Sequence, residues 1–198
     1  MNYAKYIDLP NWKQLQTQLL EFRKTYGNME ALWWSHSTEE LEQHLPDLMA
    51  AFKTLGLTPR QLIFFVNLNN DIEIDDPLDP RAVFIHTDRQ DDPVARFDYA
   101  MPVFTDFDTS NAINIPLENC DGSTTLFYRL KNDNPDVYYA VTDCGGHSKH
   151  DVEEVYRFEL NRPAIIRINV PHAVWNPNPN PRIVATIRFY ESTDHLLD

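Results

Sequence analysis

The chain has 198 residues, 42% hydrophobic and 12% aromatic, which supports one packed domain and excludes a disordered chain. Its formal net charge is −13, and no Lys/Arg cluster appears, so neither nucleic acid nor an anionic membrane surface is an expected partner. No apolar run is long enough to span a bilayer and the first residues lack a signal-peptide core, so a cytoplasmic protein is expected.

Residues 1–60 read as a helical support and 61–198 as the β-rich core of the same single domain. Trp12, Leu15, Leu19, Phe22 and Tyr26 recur at helical spacing, and Gly27-Asn28 closes that segment. A second helix is expected from Thr38, with Ser37 or Thr38 as N-cap and Gly56 as its stop; Pro46 falls inside the pattern and kinks or delays it. Trp33-Trp34 reads as a packing anchor for these helices.

Short segments with strand chemistry follow, each bounded by Asn, Asp, Gly or Pro: Gln61–Asn67, Ala82–Asp88, Asn111–Leu117, Thr124–Leu130, Val137–Val141, Val152–Leu160, Ala164–Val170 and Ile183–Tyr190. Many short strands separated by turns suggest a sandwich or barrel. Asp71–Pro80 reads as a solvated acidic loop. Residues 89–110 read either as a lid or as a disordered insertion. Cys120 and Cys144 fit no zinc or redox spacing and are expected as reduced thiols. His147 and His150 sit in a glycine-containing stretch that reads as a solvent-facing turn.

Three features carry chemistry. Residues two apart on a strand share a face, so His86 and Asp88 present an imidazole and a carboxylate side by side. Alone, His-x-Asp is a weak signal. His172, after the apolar strand Ala164–Val170, supplies a second imidazole. Two His and one Asp form the facial triad of non-haem iron(II), which leaves coordination positions open. Arg182 opens the last strand and shares a face with Val184, Thr186 and Arg188. A buried arginine is costly unless it meets an anion, and a guanidinium grips a carboxylate with two bonds.

His-x-Asp, a distal His and an Arg ten positions later resemble the iron(II)/2-oxoglutarate-dependent oxygenases. The stretches Ala112–Cys120 and Ser123–Tyr128 resemble the strands after the metal strand in small bacterial and phage-type members. Pro171-His172-Ala173-Val174-Trp175-Asn176 resembles the distal-histidine segment of members related to aspartyl/asparaginyl hydroxylases. The resemblance covers residues 82–190. It implies a double-stranded β-helix, a jelly-roll, cupin-like barrel, with the N-terminal helices packed outside. It implies iron(II) on His86, Asp88 and His172, and 2-oxoglutarate chelating the metal with its far carboxylate on Arg182. Arg188, Asn114, Tyr128 and Thr186 are candidate further contacts to that co-substrate. The implied reaction consumes dioxygen, releases succinate and carbon dioxide, and hydroxylates an unidentified small-molecule or peptide substrate, an amino-acid side chain among the candidates. Many members carry Arg-x-Ser here; this chain has Val184 in the third position, so Thr186 or Tyr128 would replace the serine. Iron, manganese and nickel are not separated by ligand type. The competing expectations are a cupin-type metal enzyme without 2-oxoglutarate and a non-catalytic barrel that binds a small acid or a protein.

Overall fold

A computed structural model describes residues 2–71, 83, 85–88, 110–131, 137–139, 144–147 and 149–198. For residues 88, 137–139 and 144–146 it describes the backbone alone. In chain order the elements are β1 (Ala4–Tyr6), α1 (Trp12–Tyr26), β2 (Trp33–Ser37), α2 (Thr38–His44), α3 (Pro46–Lys53), β3 (Pro59–Asn67), β4 (His86–Asp88), β5 (Asn111–Glu118), β6 (Thr124–Leu130), β7 (Val137–Tyr139), β8 (Cys144–His147), β9 (Val152–Glu159), β10 (Ala164–Arg167), β11 (His172–Trp175), β12 (Arg182–Phe189) and α4 (Asp194–Leu197).

The strands form two six-stranded antiparallel sheets, ordered β1-β10-β5-β12-β3-β2 and β7-β8-β4-β11-β6-β9. The molecule is therefore mainly β with few helices. Neither sheet closes on itself.

Strand alternation explains where the cores sit. On β12, Ile183, Ala185, Ile187 and Phe189 join Leu15, Leu19, Phe22, Leu48 and Phe52 of the helices, so one face of the first sheet buries the helical layer. The other face carries Val184, which packs with Ala112, Ala164 and Ile166 of its own sheet and Phe127 and Phe158 of the second. That second cluster lies between the sheets. Arg182, Thr186 and Arg188 share parity with Val184 and so face it; Asn114, two residues from Ala112 on β5, does likewise. A third cluster, Ile85, Val152 and Ala173 with Tyr128 and Leu130, occupies the opposite face of the second sheet.

Tyrosines tie the two sheets together at one edge. Tyr6 Oη donates to the Glu159 carbonyl at 2.7 Å, and Tyr3 stacks on Tyr156 with ring centroids 5.8 Å apart.

The helical stop at Gly27 and the left-handed Gly56 (φ 70°) match the pattern in the sequence. Ser37 is the N-cap of α2, with a full capping box: it accepts from the Glu40 amide while the Glu40 carboxylate accepts from the Ser37 amide. The expected second helix is in fact two. Pro46 lacks the amide needed to continue α2 and instead starts α3, where its fixed φ suits the first turn. The N-terminal sixty residues are not all helix either: β1 and β2 form the two edges of the first sheet. Trp34 does anchor the layer, stacked on Phe64 at 5.1 Å, whereas Trp33 is exposed.

Candidate metal centre

β4 and β11 are antiparallel neighbours, and their register sets His86 directly opposite His172. The two rings lie 4.2 Å apart between centroids. β11 is held on its other side by β6, where His172 stands opposite Phe127. The Phe127 ring is 6.3 Å from the His172 ring and belongs to the cluster between the sheets. Both histidines therefore sit on the inner face of the second sheet.

His172 is buried, and its Nδ1 lies 2.8 Å from the Val170 carbonyl oxygen. A carbonyl only accepts, so Nδ1 carries a proton and donates it to that carbonyl. A backbone carbonyl that fixes the tautomer in this way is a recurrent companion of a metal-binding imidazole. Position 88 follows on β4, opposite Cys144 of β8. The Asp88 side chain, expected as the third ligand, lies outside the described residues, as do the expected acidic loop from Ile72 and the lid segment 89–109. Among the described residues no three His, Cys, Asp or Glu side chains gather as a metal site.

Arg182 is 2% exposed. Its Nη1 donates to Asn67 Oδ1 at 2.7 Å, across the β3–β12 register pair. Cys120 lies beside it; burial pushes that thiol's pKa up, against the pull of the guanidinium. Burial lowers the pKa of Arg182 itself, though arginine stays charged in proteins. No carboxylate pairs with it among the described residues, and its Nε has no hydrogen-bond partner. Among the described residues, the buried Asn114 Oδ1 and Thr125 Oγ1, on inward-facing positions, also lack a hydrogen-bond partner. Buried polar atoms are normally satisfied. A buried guanidinium with no carboxylate partner among the described residues fits an anionic ligand.

The remaining candidates separate by face and by distance. Thr186 is buried and stands opposite Asn114 across β12 and β5, so these two are neighbours between the sheets. Tyr128 is not on that face. It packs with Ile85, Ala173 and Leu130 on the far side of the second sheet, because one residue along β6 from Phe127 reverses the side-chain direction. Its phenol is pushed up to about 12, by burial first and then by Glu154. Arg188 faces inward but stands six residues along β12, about 20 Å from Arg182 at the usual strand rise. It sits beside Arg60 instead.

Sequence reasoning missed Asn67, Thr125 and His147. His147 is not in a solvent-facing turn: it is 2% exposed on β8, with Nε2 at 2.8 Å from Thr87 Oγ1, between the two expected ligand positions of β4. His150, by contrast, is exposed. His36 is buried against Phe22 and accepts from Trp34 Nε1 at 2.9 Å. Cys120 is a buried free thiol, and the Cys144 side chain lies outside the described residues.

The chain matches no protein-family model and no curated protein. Among the described residues, no helix is long and apolar enough to cross a membrane.

Proposed function

We propose that the protein is a non-haem iron(II), 2-oxoglutarate-dependent oxygenase that hydroxylates an amino-acid or peptidyl side chain. The observation that carries this reading is the cross-strand pair His86–His172, two imidazoles far apart in sequence that meet on the inner face of one sheet.

The strand order supports the architecture that goes with it. Taking β3, β4, β5, β6, β9, β10, β11 and β12 as strands one to eight, the sheets run 6-3-8-1 and 2-7-4-5. That is the order of an eight-stranded jelly roll with two Greek keys. On this reading β1 and β2 extend one sheet, and β7 and β8 are an inserted hairpin on the edge of the other.

His86, His172 and Asp88 would hold the metal, with the Val170 carbonyl fixing the orientation of the His172 ring. Bound iron would supply oxygen activation, coupled to oxidative decarboxylation of the 2-oxo acid. Arg182 would receive the far carboxylate in a site shielded from water by Phe127, Val184 and Phe158. Asn114 and Thr186 line the same interior. The apolar walls lower the local dielectric and strengthen the Arg–carboxylate contact.

The test is turnover of 2-oxoglutarate by protein purified anaerobically and reconstituted with iron(II), read as succinate formed on admitting air. The reading predicts succinate from the wild type and its loss in Arg182→Ala. Metal binding without any 2-oxoglutarate turnover would favour a cupin-type metal enzyme instead. Neither metal uptake nor turnover would leave a non-catalytic binding module.

A further inference from the structure

Arg182 presents a problem of orientation as well as charge. It is 2% exposed; Asn67 accepts from its Nη1 at 2.7 Å, and the Cys120 thiol lies beside it. An amide oxygen can steer a guanidinium but cannot neutralise it.

The Asn67 amide has only one workable orientation. Its Oδ1 must face the Nη1 donor at 2.7 Å, because the reversed amide would set two donors against each other. Nδ2 is therefore turned away from that contact and keeps its donor capacity for another acceptor. The residue is also fixed in place by its backbone. Its carbonyl accepts from Asn176 Nδ2 at 2.9 Å, and it holds register with Arg182 across β3 and β12. Asn176 belongs to the turn joining β11, which carries His172, to β12, which carries Arg182.

We propose that Asn67 is a specificity-determining residue that orients Arg182 and donates Nδ2 to the same carboxylate, selecting a dicarboxylic 2-oxo acid over a monocarboxylic one. This rests on the oxygenase reading above. It gives the missing serine a replacement on a different strand, since Val184 offers no donor, Tyr128 faces away and Thr186 stands four residues along β12 from Arg182, opposite Asn114.

The experiment measures equilibrium binding by calorimetry on manganese(II)-loaded protein, so that no turnover intervenes. The probes are 2-oxoglutarate and 2-oxobutyrate, which lacks the far carboxylate. The wild type is expected to prefer 2-oxoglutarate. Asn67→Ala is expected to weaken 2-oxoglutarate about tenfold to a hundredfold, the worth of a hydrogen bond to a charged group, while leaving 2-oxobutyrate unchanged. Asn67→Asp, nearly isosteric, places a carboxylate on the buried guanidinium. It is expected to raise the melting temperature and abolish the preference together, a combination that mere damage to the fold would not produce. Unaltered 2-oxoglutarate preference in both variants would overturn the role of Asn67 and leave the oxygenase reading intact. Failure of the wild type to bind either acid would overturn both.

Discussion

At the scale of single residues, the side of the strand decides the role. Phe127 and Tyr128 are adjacent, yet one packs between the sheets and the other behind them. Tyr128→Phe should therefore leave 2-oxoglutarate affinity unchanged in the same calorimetric titration; a tenfold loss would place the phenol at the co-substrate. The phenol has a separate signature in stability. Its folded pKa of about 12 lies above the ordinary value of 10.0, so the native state retains a proton that the unfolded chain releases. Stability is thus fully present below pH 10 and falls as pH rises towards 12. Alkaline thermal melts should show this decline, and Tyr128→Phe should flatten it by about 1 kcal/mol, allowing for partial exposure.

At the scale of elements, the connection from β11 to β12 does more than reverse the chain. Asn176 is fully buried; its amide donates to Asn70 Oδ1 at 2.6 Å, and its side chain donates to the Asn67 carbonyl. Asn70 Nδ2 returns a bond to the Val174 carbonyl at 2.7 Å, and Asn69 Nδ2 reaches the Pro177 carbonyl at 2.9 Å. This network fixes the end of β3 against the turn that separates His172 from Arg182. Asn176→Ala removes the side chain that bonds the Asn67 and Asn180 carbonyls and the Asn178 backbone amide, and should cost about 2–3 kcal/mol in denaturant unfolding. Ser37→Ala, which removes half a capping box from α2, should cost about 1 kcal/mol.

Elements with strong local patterns were legible in the sequence. The stripe from Trp12 to Tyr26 and the strand Thr124–Leu130 need no tertiary information to be read. Alternating Asn and Pro over residues 176–180 mark a turn, but nothing in that segment announces that residues 67–70 bond to it. β8 was hidden for a different reason. Gly145-Gly146 signals a turn locally, yet β4 and β7 pair with it on either side, and tertiary pairing overrides propensity. With β8 unseen, the burial of His147 was unseen as well. β2 was masked by its aromatic pair, which reads equally well as helix packing. For the candidate site, order and spacing single out His86, His172 and Arg182, whereas the places of Asn67 and Thr125 are visible only once two facing sheets are in place.

At the scale of the whole molecule, a metal on His86 and His172 would join β4 to β11 and couple binding to folding. Ligand that binds only the native state stabilises it by about 2.7 kcal/mol at a hundred times its dissociation constant. For a chain of this length that corresponds to about 5–10 °C in melting temperature. Adding manganese(II) should produce such a rise, and a chelator should reverse it; a melt indifferent to both would argue against a metal built into the fold. Anaerobic equilibrium dialysis against iron(II) of the wild type, His86→Ala and His172→Ala tests the metal site most directly. One ferrous ion per wild-type chain is expected, with a loss of at least about a hundredfold in affinity in each variant. Equal iron content in all three proteins, or none in the wild type, would contradict it.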